Sequence, residues 1–269
     1  MKDFKGKTAV VTGSASGIGR GLAERAAREG MNVVLADIEQ SPLDQAAREL
    51  RALGVKALPV RTDVTKPEQV EALARKAVEA FGVVHLLCNN AGVGMGRKAV
   101  WECSLEDWRW LVGVNFWGVV HGLHAFVPLM LKQQDESHIV NTASIAGLFA
   151  QPGLGVYQAT KFAVVGLSET LALDLKQRGA KVGVSVLCPG AVDTRIGESD
   201  RNRPAELRNP PGSPARVRER AKTADMIDPS RVAEIVFDGV RACRFYILTH
   251  PERTKGAVRE RMDGIIAGR

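Results

Sequence analysis

The sequence predicts an α/β fold: a doubly wound, largely parallel sheet of about seven strands with helices on both faces, stacked as three α/β/α layers. Three observations carry this. Short, nearly continuous runs of Val, Ile and Leu recur along the 269 residues, the pattern of strands buried on both faces. Segments of helical periodicity separate those runs. No Pro- or Ser-rich linker breaks the alternation before residue 190, so residues 1–269 read as a single domain. Strands and helices of these lengths form βαβ units with right-handed crossovers, and such sheets bind ligands beyond the carboxyl ends of their strands.

The first strand-like run, 8–12, leads through Thr12-Gly-Ser-Ala-Ser-Gly-Ile-Gly19 straight into an amphipathic helix over 18–29. In that setting Gly13, Gly17 and Gly19, with Ser16 and Ile18 between them, permit a tight turn and close backbone approach to a pyrophosphate. The helix N-terminus adds free N–H groups and partial positive charge. The spacing is GxxxGxG, a departure from the GxGxxG dinucleotide fingerprint. The second run, 32–36, ends at Asp37. A carboxylate there accepts bonds from the adenosine ribose hydroxyls and repels a 2′-phosphate, and neither Ser16 nor Ile38 offers a compensating cation, which favours NAD over NADP. A helix cap or plain strand terminus is the other reading of Asp37.

Helical periodicity over 43–53, a strand at 56–60 and a helix over 67–81 follow. Thr65-Lys-Pro-Glu68 reads as the cap of that helix, with Pro67 where its missing N–H costs little. A strand at 83–88 precedes a long helical segment, 105–132, opened by the capping box Ser104-Leu-Glu-Asp107. Within it Asn115 occupies an apolar stretch, an expensive place for an amide unless its hydrogen bonds are met. A strand at 138–143 ends beside Ser144, and a helix over 155–177 carries Tyr157 and Lys161 one turn apart on one face. After the strand 182–187, residues 190–228 break the rhythm with Pro204, Pro210, Pro211, Gly212 and Pro214. A long irregular segment at a strand's carboxyl end is a lid or binding loop, or else a surface excursion. A helix over 230–242, a strand at 245–248 and a polar, helix-like extension over 249–269 complete the chain.

Ser144, Tyr157 and Lys161 read as a proton-transfer site. A phenol with a reference pKa of about 10 becomes a usable acid or base at neutral pH only when a nearby cation stabilises its phenolate. Lys161 is that cation, and Ser144 can hydrogen-bond the substrate oxygen.

A composition of 45% apolar and 25% charged residues excludes disordered and fibrous classes. The net charge of +7 is spread among interspersed acidic residues, so no nucleic-acid partner is expected. The densest basic stretch, Arg216 to Lys222, reads as a solvated helix face or as a contact for a substrate phosphate or carboxylate. The first apolar run is too short for a secretory signal. The longest, Phe116 to Leu131, is interrupted by His121, His124 and Pro128 and falls short of the ~20 residues of a spanning helix. A soluble protein without membrane contact is therefore expected. Cys88, Cys103, Cys188 and Cys243 form no CxxC pair, which suits a reducing, cytoplasmic setting. His and Cys show no metal-ligand spacing, so no metal is expected.

With these motifs in place, residues 5–248 resemble the short-chain dehydrogenase/reductase family in its single-domain, Rossmann-fold branch. The resemblance rests on Thr12-Gly-x-x-x-Gly-Ile-Gly19, Asp63-Val64, Asn89-Asn-Ala-Gly92, Asn115, Ser144, Tyr157-x-x-x-Lys161 and Pro189-Gly-x-x-x-Thr194. It implies that Asp63 bonds the adenine amino group while the Val64 backbone lies beside the ring. Asn89 to Gly92 would support the sheet and line the cofactor, with Asn90 near the ribose. Pro189, Gly190, Val192 and Thr194 would hold the nicotinamide carboxamide. Asn115 would bend its helix and anchor a water linked to Lys161, which binds the nicotinamide ribose and lowers the Tyr157 pKa. A core amide satisfied by the protein is the other reading of Asn115.

The implied reaction is reversible oxidation of a secondary alcohol to a ketone by hydride transfer to NAD. Expected substrate walls are Gly94 to Trp101, Ile145 to Leu154 and Arg195 to Asp228. Met95, Trp101, Leu148, Phe149, Leu154 and Ile196 suit a hydrophobic small molecule or simply pack the lid. The arginines of 195–220 keep a 3-oxoacyl thioester (ACP or CoA) reductase as the alternative. A non-catalytic NAD-binding sensor or scaffold would have lost Ser144, Tyr157 or Lys161. The resemblance also implies a homo-oligomer, tetramer or dimer, joined through 105–132, 155–177 and the last strand.

Overall fold

The computed structural model describes residues 1–133, 135–209 and 224–269. Its strands are β1 (Thr8–Thr12), β2 (Asn32–Asp37), β3 (Ala57–Arg61), β4 (Leu86–Asn89), β5 (Ser137–Thr142), β6 (Val182–Cys188) and β7 (Tyr246–Leu248). They form one parallel sheet in the order β3-β2-β1-β4-β5-β6-β7. The winding direction reverses between β1 and β4, which opens a crevice beyond the carboxyl ends of those two strands.

The helices are α1 (Gly17–Arg28), α2 (Gln40–Ala52), α3 (Pro67–Phe81), α4 (Leu105–Val112), α5 (Gly118–Lys132), α6 (Gly155–Gln177), α7 (Pro229–Arg241) and α8 (Pro251–Ile266). On one face α1, α2 and α7 bury Leu22, Leu43, Leu50 and Phe237 against Val11 and Val33. On the other, α3, α5 and α6 bury Leu73, Phe126, Met130 and Val164 against Val10 and Val34. Neighbouring strand residues thus feed opposite cores, the period-two rule applied to a sheet covered on both sides. Cys88 and Cys188 are buried strand residues, and burial pushes both thiols up to about 12, so neither is a nucleophile at neutral pH.

Four sequence readings change. The cap of α3 is Lys66, and Thr65 makes no cap because its hydroxyl donates to Asp63 Oδ1 at 2.8 Å. At α4 the capping box is present: Asp107 N donates to Ser104 Oγ at 3.1 Å and Ser104 N to Asp107 Oδ2 at 3.1 Å. The fourth strand starts at Leu86 instead of 83, because Val83 N turns back to Phe81 O at 2.9 Å. The 105–132 segment is not one regular helix: a π-turn, Gly113–Trp117, joins α4 to α5 around the buried Asn115. Taken whole, Leu105–Lys132 is also long and apolar enough to cross a membrane, where the sequence reading counted only 116–131. Its apolar side chains Leu111, Val119, Leu123, Phe126 and Met130 are spent on the cores of this fold.

One buried side chain makes stability acid-sensitive. His138 in β5 is 2% exposed. Ser185 Oγ donates to Arg244 O at 2.7 Å, so His138 Nε2, also 2.7 Å from that oxygen, is the donor of a neutral ring. Burial pushes its pKa down to about 4. Below about pH 6.5 the unfolded chain binds a proton that the folded chain refuses, so stability falls as pH drops from about 6.5 towards 4. The full effect is about 3 kcal/mol. Denaturant melts at pH 7 and 5 should show the loss for the wild type and a much smaller one for His138→Gln.

Candidate active site

The switch-point crevice is a cleft of about 1350 Å³. Of the sequence-predicted site residues, Gly13, Ser16, Gly17, Ile18, Asp37, Asp63, Val64, Asn90, Gly92, Ser144, Tyr157, Lys161, Pro189, Gly190, Val192 and Thr194 line it; Gly19 and Asn115 do not, but Gly19 packs on Gly13 and Asn90, and Asn115 holds Val93, all three of them lining residues.

The floor is built by β1 and β4. Thr12 Oγ1 accepts from Asn90 N at 2.9 Å and Ala91 N at 3.0 Å, and Asn90 Nδ2 donates back to Thr12 O at 3.0 Å. The turn after β1 is thereby locked to the loop after β4. Gly17 opens α1 at φ +55°, and a Cβ there would meet Thr194 Cγ2 at 3.1 Å, so the glycine turn and the segment after β6 touch. The first N–H groups of α1 face this space without intrahelical partners. Asp37 closes the far end. Ala15 N and Glu39 N donate to its carboxylate at 2.9 and 3.0 Å, yet burial holds its pKa above the usual carboxylate value. Asp63 Oδ1 accepts from Thr65 N at 2.9 Å as well as from its hydroxyl. These residues fit a dinucleotide: a helix N-terminus for its phosphates and a buried carboxylate with acceptor capacity for hydroxyls.

The chemical end lies between β5, the start of α6 and the loop after β4. Lys161 is 3% exposed, and its Nζ donates to Thr142 O at 3.0 Å and lies 5.6 Å from the centroid of the Tyr157 ring. Burial lowers the ammonium pKa to about 8, so the group is charged below that pH. Ser144, at the end of β5, accepts from Ala146 N at 3.1 Å and donates to Pro189 O at 3.4 Å. Asn115 acts as a false strand partner for the loop after β4. Its Oδ1 accepts from Val93 N at 2.8 Å, and its Nδ2 donates to Val93 O at 3.0 Å and Thr160 Oγ1 at 3.3 Å. The amide is met by protein groups, as the core reading required, and it also sits in the π-turn. A Cβ on Gly92 would lie 3.4 Å from Asn115 Oδ1 and 3.6 Å from Lys161 Nζ, so both side chains flank that glycine.

The substrate walls differ in part from expectation. Met95, Leu154 and Ile196 line the cleft, but Trp101, Leu148 and Phe149 do not. Trp101 is 84% exposed on a 3-10 turn, and Leu148 packs into the core beside α6. Trp110 and Val114 take their places. The stretch Arg216 to Lys222 lies outside the described residues. Sequence reasoning also missed the contribution of the C-terminal extension. Gly190 N donates to Thr249 Oγ1 at 2.9 Å, and Arg253 of α8 lines the cleft while pairing with Asp225 at 3.0 Å. Nor did it find Arg201, whose guanidinium grips Glu39 in a fork of 2.8 and 3.2 Å between the segment after β6 and the one after β2. That pairing holds the Glu39 carboxyl below its ordinary pKa. Nothing in local spacing signals such pairs. Thr12 alone had a signal, its place at the head of the glycine motif.

A doubly wound sheet with a glycine turn at its switch point, and a buried lysine one helical turn from a half-buried tyrosine, is the framework of a dinucleotide-dependent oxidoreductase. Comparison with known proteins narrows the class. Residues 7–205 match the short chain dehydrogenase family model, and the chain belongs to the short-chain dehydrogenase/reductase family of oxidoreductases. It is 36% identical over 260 residues, 94% of this chain and 91% of the other, to the CLA biosynthesis dehydrogenase/reductase of Lactiplantibacillus plantarum. Its structure is similar to that of a short-chain dehydrogenase/reductase from Burkholderia phymatum in complex with NAD, with TM-score 0.94, 46% identity and coverage of 100% and 97%. It is also similar to an alcohol dehydrogenase from the archaeon Thermococcus sibiricus complexed with 5-hydroxy-NADP, with TM-score 0.76, 28% identity and coverage of 91% and 96%.

Proposed function

We propose that this protein interconverts a hydrophobic secondary alcohol and its ketone with NAD as the redox partner. The observation that carries the reading is the convergence of Tyr157, the buried Lys161 cation and Ser144 at one end of a cleft whose other end is the Asp37 carboxylate. NAD supplies the hydride acceptor or donor. In oxidation Tyr157 takes the proton from the substrate hydroxyl, and in reduction it returns a proton to the carbonyl oxygen. Lys161, charged below about pH 8, stabilises the phenolate form. Ser144 hydrogen-bonds the same substrate oxygen and stabilises its developing charge. Asn115 holds Val93, and with it the loop that carries Gly92 beside the lysine.

Gly13 to Gly19 and the start of α1 hold the pyrophosphate, Asp63 and Val64 the adenine, Asn90 the ribose, and Pro189, Gly190, Val192 and Thr194 the carboxamide. Asp37 selects NAD by accepting from the adenosine ribose and repelling a 2′-phosphate. The relative solved with NAD supports that preference. Asp37→Ser should shift the ratio of kcat/KM for NADP⁺ over NAD⁺ upward by at least about tenfold; an unchanged ratio would remove Asp37 from cofactor selection.

The apolar walls Val93, Met95, Trp110, Leu154, Ile196 and Leu207 support a hydrophobic substrate. Arg97, Lys98 and Arg109 also line the cleft and favour a second reading, a 3-oxoacyl thioester bearing an anionic carrier. The test is the near-ultraviolet absorbance of NADH formed from NAD⁺ with free secondary alcohols and with 3-hydroxyacyl thioesters, NADP⁺ run in parallel. Turnover of free alcohols with NAD⁺ is expected. Turnover of thioesters alone would establish the second reading.

A further inference from the structure

Asp107, the N3 residue of the α4 capping box, is 0% exposed, and donors from several segments converge on its carboxylate. Arg203 Nη1 donates to Oδ1 at 2.9 Å and Asn209 Nδ2 to Oδ1 at 3.1 Å. Ser104 N reaches Oδ2 at 3.1 Å, and Lys98 Nζ lies 3.8 Å from Oδ2. The loop after β4, helix α4 and the segment after β6, which supply three walls of the chemical end of the cleft, are thus tied to one buried anion.

Arg203 is equally buried, with 3% of its side chain exposed. Its Nε donates to Leu207 O at 2.6 Å, and its guanidinium carbon stands 4.9 Å from the centroid of Trp110. Among the described residues its Nη2 has no hydrogen-bond acceptor. A buried guanidinium that stacks near an aromatic ring and leaves one nitrogen without an acceptor is not arranged for maximal hydrogen bonding, and an apolar pair would fill the same volume at lower cost. What the arrangement does fix is the plane of Trp110. Trp110 lines the cleft and anchors the apolar cluster with Val93, Leu111 and Val156, against which Met95, Leu207 and the Tyr157 ring pack.

We propose that the buried Arg203–Asp107 pair positions Trp110 as the wall of the substrate site and so sets the preference for bulky over small secondary alcohols. This rests on the secondary-alcohol reading above. Arg203 is a positioning residue: it lines no part of the cleft, and its effect passes through the indole. A lysine keeps the charge but has neither the fork nor the plane, so Arg203→Lys should loosen the wall without removing the cation.

The test compares 1-phenylethanol with 2-butanol. In Arg203→Lys the ratio of their kcat/KM values should fall about tenfold, carried by a higher KM for the aromatic alcohol, while kcat for 2-butanol and the NADH dissociation constant stay within about twofold. Trp110→Leu, which leaves the ion pair in place, should lower the same ratio, and the double variant should add little. An unchanged ratio in either single variant, or equal losses for both alcohols, would overturn the proposal. Should the wild type bind NADH yet oxidise neither alcohol, the functional reading fails instead. The positioning claim is then read from acetophenone binding to the NADH complex, which Arg203→Lys must weaken about tenfold to sustain it.

Discussion

Tyr157→Phe should lower kcat for alcohol oxidation about 10³-fold while leaving the NADH dissociation constant within about twofold. The substitution deletes one oxygen and keeps the ring, which packs against the Val93, Trp110, Leu111 and Val156 cluster, so that apolar packing is retained. What disappears is the group to which the proposed mechanism assigns proton exchange with the substrate oxygen. No other phenol can replace it. Tyr246, the only other tyrosine, lies in β7 hydrogen-bonded to Glu169, and burial together with that carboxylate pushes its pKa above the usual phenol value. Steady-state rates and NADH fluorescence titrations on the same preparation separate the outcomes. A rate within tenfold of the wild type would mean that proton transfer runs through another group. Equal loss of rate and NADH affinity would mean that the phenol serves binding.

The second large effect is expected at Gly19. A methyl on its α-carbon would stand 2.0 Å from Gly13 O and 2.5 Å from Asn90 Nδ2. The first of these is backbone of the glycine turn, and the second is the amide that ties the turn to the loop after β4. Neither can retreat without separating α1 from β1, which removes the helix N-terminus from the position proposed for the phosphates. Gly19→Ala should therefore weaken NADH binding at least about 100-fold, roughly 2.7 kcal/mol, and lower the melting temperature. Gly256→Ala is the matched control. It adds the same methyl in the exposed middle of α8, with nothing within 4 Å. There the gain in helix propensity should raise stability by about 0.5–1 kcal/mol and leave NADH affinity unchanged. Calorimetric titration and thermal melts of both variants decide it, and tight NADH binding by Gly19→Ala would refute the placement of the phosphates.

The sheet was legible in the sequence because its evidence is local. Strands such as 8–12 and 32–37 are short buried runs, and the glycine turn and Asp37 sit at strand ends that periodicity locates to within a residue or two. The Tyr157–Lys161 pair was legible for the same reason, since four residues on a helix determine a shared face. What was missed depends on contacts closed by tertiary structure. Thr65 is a good capping residue, but Asp63 captures its hydroxyl, a competition that the tetrapeptide does not reveal. The π-turn at Gly113–Trp117 inserts an extra residue into an otherwise unbroken apolar period, and only the burial of Asn115 against Val93 explains it. The sequence placed Trp101 in the wall and passed over Trp110, because spacing does not reveal that Trp101 stands exposed on the 3-10 turn before α4 while Trp110 faces the cleft from α4. The Arg201–Glu39 fork joins residues 162 positions apart, a separation at which sequence spacing says nothing.

The central claim is that the carbinol hydrogen of a secondary alcohol leaves as hydride directly to NAD⁺. The most direct measurement uses a secondary alcohol deuterated at the carbinol carbon, incubated with the enzyme and NAD⁺, with the NADH product read by proton NMR. One deuterium at nicotinamide C4, on a single face, together with a slower rate than for the unlabelled alcohol at saturating substrate or in competition, is the predicted result. NADH without deuterium, or label lost to water, would contradict it.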